Sequence, residues 1–161
     1  MTDAAAKRLA GWGYRGKMAP GDAHYHRSLN VFFDVDGTLI TWDNKIRPFV
    51  REVFQQIKDD GHDIYIWSGV GIRQEVVDRH ELQQWISGLY RKPLYDYKKR
   101  LPEFTPIEPD FIIDDYPEIV WEIGGVQIRP PIWPMNDDEE MWRVYEELAK
   151  YVAKLRASDP G

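Results

Sequence analysis

Three short apolar runs, each closing on polar side chains, constrain this chain more than any other feature. "DIYIW" (63–67) ends at Ser68 and "DFII" (110–113) at Asp114 and Asp115, as "VFF" (31–33) ends at Asp34. Runs of this length and composition form strands buried on both faces, the pattern of a parallel sheet.

Helical patterns separate the runs. Ile46, Phe49, Val50, Val53, Phe54 and Ile57 fall on one helical face, with Pro48 in the first turn and Gly61 just past the end. Residues 72–89, "IRQEVVDRHELQQWISGL", read as a second helical region with Val76, Val77, Trp85 and Ile86 as core contacts. A short helix over Pro117 to Ile123 leads through Gly124-Gly125 to a further strand, "VQI". The last helix begins near Asn136 and buries Met141, Tyr145, Leu148, Val152 and Leu155; its acidic start and basic end suit the helix dipole. Strands alternating with helices define the α/β class, here a doubly wound, Rossmann-like parallel sheet flanked by helices. Right-handed crossovers then bring the C-terminal ends of all strands to one edge. Asp34, Asp36, Ser68, Asp114 and Asp115 meet there.

Four carboxylates in one cleft repel. At ~4 Å and an effective dielectric of ~20, each like-charged pair costs roughly 4 kcal/mol. Such a group takes up protons or holds a cation. The donors are all oxygen and the chain has no cysteine, which favours a hard ion, with Mg²⁺ the best fit. A Ca²⁺ loop of the EF-hand type is excluded, because counting from Asp34 places Thr38 at the fifth position and Lys45 where the closing glutamate belongs.

"FFDVDGTL" resembles the nucleophile motif of the haloacid dehalogenase superfamily of phosphotransferases. "IYIWSG" is similar to that family's second motif and "FIIDD" to its fourth, in the family's order, so the resemblance runs from about Val31 to Ile128. It implies that Asp34 attacks phosphorus and forms an aspartyl-phosphate, and that Asp36 serves as general acid and then general base. It further implies Mg²⁺ on the Asp34 carboxylate, the Asp36 backbone carbonyl and Asp115, with Asp114 assisting. Ser68 would bond a phosphoryl oxygen, and N–H groups around Val35 to Thr38 and at Gly69 would cradle the others. The motif lysine is Lys92 in "RKP", with Lys98 and Lys99 as alternatives in "KKR".

Neither the Asp34–Ser68 gap nor the Ser68–Asp114 gap, which holds a helix plus a short strand, has room for an inserted cap domain. The cleft is therefore expected to be open beneath a short "ITWDNK" flap. This layout resembles the phosphatase domain of polynucleotide kinase 3′-phosphatases, including "DDYPEIVWEIGGVQ" after the fourth motif. The implied substrate is a phosphate on a large molecule such as a polynucleotide end, with Trp42 and Arg73 in contact with it. A small-molecule phosphatase and a non-catalytic binding domain of the same fold are the alternatives. No GxxxxGK[ST] kinase loop occurs.

The charge of −6 opposes broad nucleic-acid affinity, yet Lys7, Arg8, Arg15, Lys17 and Arg27 give residues 1–28 a basic balance. These residues read as an arm, 29–157 as the catalytic domain and 158–161 as a tail. His24 and His26 have metal-like spacing but read more simply as part of a polar arm. With no long apolar run and no signal-peptide pattern, the chain is expected to be cytoplasmic. The seven tryptophans read mainly as core, with Trp121 and Trp142 on helices facing the sheet.

Overall fold

A computed structural model describes residues 28–158. The arm up to Arg27, with His24 and His26, and the end of the tail lie outside the described residues. The elements run β1 (Asn30–Phe33), α1 (Val50–Asp59), β2 (Asp63–Ser68), α2 (Gln74–Arg79), a 3₁₀ turn (Gln83–Trp85), β3 (Ile86–Arg91), α3 (Tyr97–Phe104), β4 (Phe111–Asp114), α4 (Pro117–Ile123), β5 (Gly125–Gln127) and α5 (Glu140–Ser158). The strands form one sheet in the order β3-β2-β1-β4-β5, and every pairing is parallel.

Strand alternation divides the core. Val31, Phe33, Ile64, Ile66, Phe111 and Ile113 join a cluster built from α1, α2 and α5. Their neighbours Phe32, Tyr65, Trp67 and Ile112 face the other way, against Tyr97 and Leu101 of α3 and Ile119 and Val120 of α4. Successive strand side chains point to opposite faces, and here both faces are covered, which explains why the strands read as unbroken apolar runs. Phe33 is in register with Ile66 and with Ile113, so β1, β2 and β4 end side by side. No helix among the described residues is long and apolar enough to cross a membrane.

Several elements differ from the sequence reading. The helical region over 72–89 is three elements: α2 stops where Glu81 takes a positive φ of 55°, a 3₁₀ turn carries Trp85, and Ile86–Arg91 is an edge strand. Gly88 leaves room for the ring of Tyr65 on the neighbouring strand and that of Tyr90 on its own, since a Cβ there would lie 3.1 Å from both. Helix α1 begins at Val50, after Phe49 in the left-handed region, so Pro48 precedes the helix rather than sitting in its first turn. The last strand covers Gly125–Gln127, one residue earlier than "VQI", with Ile128 buried just beyond it. Helix α5 starts at Glu140 instead of Asn136; Asp138 accepts the Glu140 N–H at 3.1 Å and stays outside the helix. Trp142 is buried in the core, but Trp121 is 75% exposed on the outer side of α4. Trp42 and Trp133 are exposed as well, so the described tryptophans divide evenly, with Trp67, Trp85 and Trp142 in the core.

The β4–β5 contact depends on a residue without a side chain. Gly125 has φ 148°, and a Cβ there would stand 2.0 Å from the Ile112 carbonyl oxygen. Gly125→Ala is expected to destabilise the fold by roughly 2–4 kcal/mol through this backbone clash. Urea unfolding of the two proteins checks it, with the loss read from the midpoint.

Candidate active site

The first acid is placed by the end of the central strand. Asp34 follows β1, and its N–H donates to the Ile113 carbonyl at 3.0 Å, extending the pairing with β4 beyond the last strand residue. A tight turn follows. Thr38, Leu39 and Ile40 all donate to the Val35 carbonyl, at 3.1, 2.9 and 3.3 Å, and Gly37 donates to Ile40 at 3.1 Å. The N–H groups expected to form a cradle are thus partly spent: Gly37 and Thr38 are engaged within the turn. Those of Val35 and Asp36 bond no backbone carbonyl among the described residues. Gly37 has φ 78°, and a Cβ on it would lie 2.6 Å from Asp115 Oδ2. Glycine is needed here both for the turn and for the approach of the second acidic pair.

Asp34, Asp114 and Asp115 come together from β1 and β4. One carboxylate oxygen from each lies within 4.8 Å of the others. Asp114 is fully buried and Asp34 nearly so, while Asp115 is half-buried. Thr38, also buried, donates its hydroxyl to Asp34 Oδ2 at 3.2 Å, and the Tyr116 N–H orients Asp114 through Oδ1 at 2.9 Å. The carboxylate of Asp36 stands apart from this group and pairs with Arg73 at the exposed mouth of the cleft.

Lys92 joins the acids from the edge strand. Its N–H donates to the Ser68 carbonyl at 2.9 Å, which carries the β2–β3 pairing one residue past Arg91. Its ammonium lies 2.9 Å from Asp34 Oδ1 and 2.8 Å from Asp114 Oδ2. Lys98 and Lys99 lie exposed on α3, so among the three candidate lysines the structure brings Lys92 to the acids. Ser68 is buried at the end of β2, where its hydroxyl accepts the Val70 N–H at 3.3 Å. Gly69 lies beneath Leu94, whose Cδ2 would be 2.6 Å from an added Cβ. Arg73 holds both Asp36 and Glu75, the latter at 2.5 Å. Trp42 stands fully exposed at the flap tip, in a turn closed by Thr41 N–H to Lys45 O at 2.9 Å and Asn44 N–H to Thr41 O at 3.1 Å.

The electrostatics follow from the burial. Burial first, then the Asp34 charge, pushes Asp114 up to about 6 against the pull of Lys92. Burial, a hydrogen bond with Asp34, and the charges of Asp34 and Asp114 push Asp115 up to about 7. For Lys92, burial works against the ammonium, but Asp34 and Asp114 outweigh it and its pKa is raised. One ammonium among three carboxylates leaves two negative charges, in keeping with the raised proton affinity of Asp114 and Asp115. All-oxygen donors carrying that excess suit a hard divalent cation.

One structural residue was missed by sequence reasoning. Arg47 is buried, bonds both Asp138 oxygens through Nε at 3.0 Å, reaches the Thr38 carbonyl through Nη1 at 3.0 Å, and caps the Arg129 carbonyl through Nη2. It locks the turn after Asp34 to the loop after β5. Its sequence signal was only a charge within an amphipathic stretch.

The family model of haloacid dehalogenase-like hydrolases matches residues 31–82, from β1 through α2 and just past it, so the chain is similar to that family across the nucleophile turn and the Ser68 strand. A search of curated protein sequences finds no match. The match together with the acidic cluster supports a hydrolase of the haloacid dehalogenase type.

A divalent ion bound among these acids would compete with protons on Asp114 and Asp115. Raised carboxylate pKa values mean that the folded, metal-free chain binds more protons than the unfolded chain between about pH 4 and 7, so these two groups lower stability as pH rises through that window. Mg²⁺ is therefore expected to raise Tm more at pH 8 than at pH 5.5, because at the lower pH it competes with protons. Thermal unfolding with and without the ion at both pH values checks this; an equal shift would contradict it.

Proposed function

We propose that the chain is a Mg²⁺-dependent phosphomonoesterase of the capless haloacid dehalogenase type, working through an aspartyl-phosphate. The observation that carries this reading is the convergence of Asp34, Asp114 and Asp115, with Lys92 between two of them, at the C-terminal edge of a parallel sheet. The similarity over residues 31–82 supports it. Asp34, Asp115 and the Asp36 carbonyl would hold the ion, with Asp114 close behind, and the ion would supply charge neutralisation for the incoming phosphoryl group.

Asp34 is the nucleophile. One of its carboxylate oxygens attacks phosphorus while the bond from phosphorus to the leaving oxygen breaks, and Asp36, as general acid, gives that oxygen a proton. Thr38 and Lys92 fix the Asp34 rotamer for the attack and restrict it to one geometry. In the second half, Asp36 takes a proton from water as the water oxygen bonds phosphorus, the bond from phosphorus to Asp34 breaks, and phosphate leaves. Lys92 and the Ser68 hydroxyl supply donors for the phosphoryl oxygens, and the Val35 and Asp36 N–H groups remain to complete the cradle. Asp36 is solvent-accessible but paired with Arg73, so exchanging a proton with the leaving group or with water requires it to leave that pair.

Among the described residues, the segments between strands hold only a flap, helices and turns, and no inserted domain covers the cleft. A phosphate on a large carrier, a polynucleotide end or a protein, can reach Asp34 without a lid having to open.

The test is hydrolysis of an aryl phosphate with and without Mg²⁺. The wild-type chain is expected to turn over only with the ion, and Asp34→Asn to lose at least about a thousandfold in kcat, the scale of removing a covalent nucleophile. Ion-independent turnover, or undiminished turnover by the variant, would reject the mechanism. Absence of turnover on any phosphate ester would favour a binding domain of the same fold.

A further inference from the structure

The exposed large apolar side chains of this protein are not scattered. Trp42 lies on the flap after β1, and Val70 and Ile72 on the loop after β2. Leu94 and Tyr95 follow β3, Tyr116 follows β4, and Ile132 and Trp133 follow β5. Every loop at the C-terminal edge presents at least one. Among the described residues, the loops at the opposite edge present none, and the remaining exposed large apolar residue, Trp121, lies on α4. In a parallel sheet the five C-terminal loops share one edge, so these side chains ring the acidic cleft. Two contacts tie neighbouring parts of the ring together: Leu94 packs over Gly69, and Lys45 of the flap lies 3.6 Å above the Trp133 ring. An apolar surface concentrated around a polar centre marks a docking site rather than ordinary exposure.

The charges of the rim select the occupant. Asp36, Asp43, Asp96 and Asp115 lie on these same loops. The cations there are largely committed: Lys45 to Asp43 at 3.3 Å, Arg47 to Asp138 at 3.0 Å, Arg73 to Asp36 and Glu75, and Lys92 to the buried acids. Arg91 and Arg129 stand outside these pairs. A polynucleotide brings one negative charge per residue and needs a basic track, and an anionic membrane needs the same. A protein segment brings apolar and aromatic side chains with a single phosphate, which matches an apolar ring around one cation-binding centre.

We infer that the ring of apolar loops is a docking surface for a protein segment in which the phosphorylated residue is flanked by apolar and aromatic side chains. The inference rests on the phosphatase reading and narrows its substrate to a phosphoprotein. The apolar flanks lie across Trp42 and Trp133 on one side of the cleft and across Val70 and Leu94 on the other, while the phosphate reaches Asp34.

Binding separates this inference from the chemistry. The full-length Asp34→Asn chain with Mg²⁺ is titrated by fluorescence anisotropy with three probes: a phosphoserine peptide flanked by Leu, Tyr and Phe, the same peptide flanked by Asp, Ser and Gly, and a 3′-phosphorylated single-stranded oligonucleotide. The apolar-flanked peptide is expected to bind at least about tenfold more tightly than either competitor. Adding Ile132→Ser and Trp133→Ser, both on exposed side chains away from the core, is expected to reduce that preference to less than about threefold. Equal affinities, a tighter oligonucleotide, or a preference that survives the double substitution would overturn the inference. Turnover of an aryl phosphate by the wild-type chain is scored separately: tight apolar-peptide binding without any turnover would leave the docking surface standing and reject only the phosphatase reading.

Discussion

The mutual repulsion of Asp34, Asp114 and Asp115 is the constraint around which the rest of the molecule is arranged. Carboxylate oxygens within 4.8 Å of one another in a mostly buried setting are unfavourable unless protons or cations relieve them. Lys92 supplies part of that relief, at 2.9 and 2.8 Å from two of the three. Burial first, and then the neighbouring carboxylates, raise the proton affinity of Asp114 and Asp115. A site in this condition is suited to exchange protons for a divalent ion, and under the proposed function that ion would make Asp34 usable against a phosphate that would otherwise be repelled.

Such a cluster persists only because the backbone around it leaves no alternative. Asp34 is anchored by the β4 carbonyl beside it, Thr38 and Lys92 hold its carboxylate, and Gly37 clears the space that Asp115 occupies. Arg47 extends this rigidity outward by joining the Thr38 carbonyl to Asp138 and to the carbonyl of Arg129. A buried guanidinium whose donors find oxygen partners is costly to disturb, since removing it would strip Asp138 of its ion pair and two carbonyls of a donor. The stability of the turn after Asp34 and the placement of the last helix are thereby coupled.

Much of this was legible in the sequence. Strands β1, β2 and β4 announced themselves because a strand covered on both faces must be apolar throughout, and their C-terminal acids followed from the topology of parallel sheets. The edge strands were harder. Ile86–Arg91 is only half-buried and contains Ser87 and Gly88, so its residues carried no continuous apolar signal and merged with the helix before them. That error also hid the reason why Lys92 is the lysine that reaches the acids: it is the first residue after β3, beside Ser68. Trp121 was misplaced because a tryptophan on a short helix was taken to face inward, whereas Ile119 and Val120 supply that contact. Arg47 was not legible because its partners, Asp138 and Arg129, lie more than eighty residues away along the chain.

Under the proposed function the apolar loops and the acidic centre would divide the work of an open cleft: one would hold the carrier and the other would perform the chemistry. The account stands or falls on the centre. Its most direct test is a crystal structure of the chain grown with Mg²⁺ and beryllium fluoride, a mimic of a phosphoryl group on a carboxylate. The account predicts beryllium bonded to Asp34, with the metal touching both Asp34 and Asp115 and Lys92 turned toward the fluorides. An ion bound elsewhere, or an Asp34 that carries no beryllium while Lys92 keeps both of its carboxylates, would contradict it.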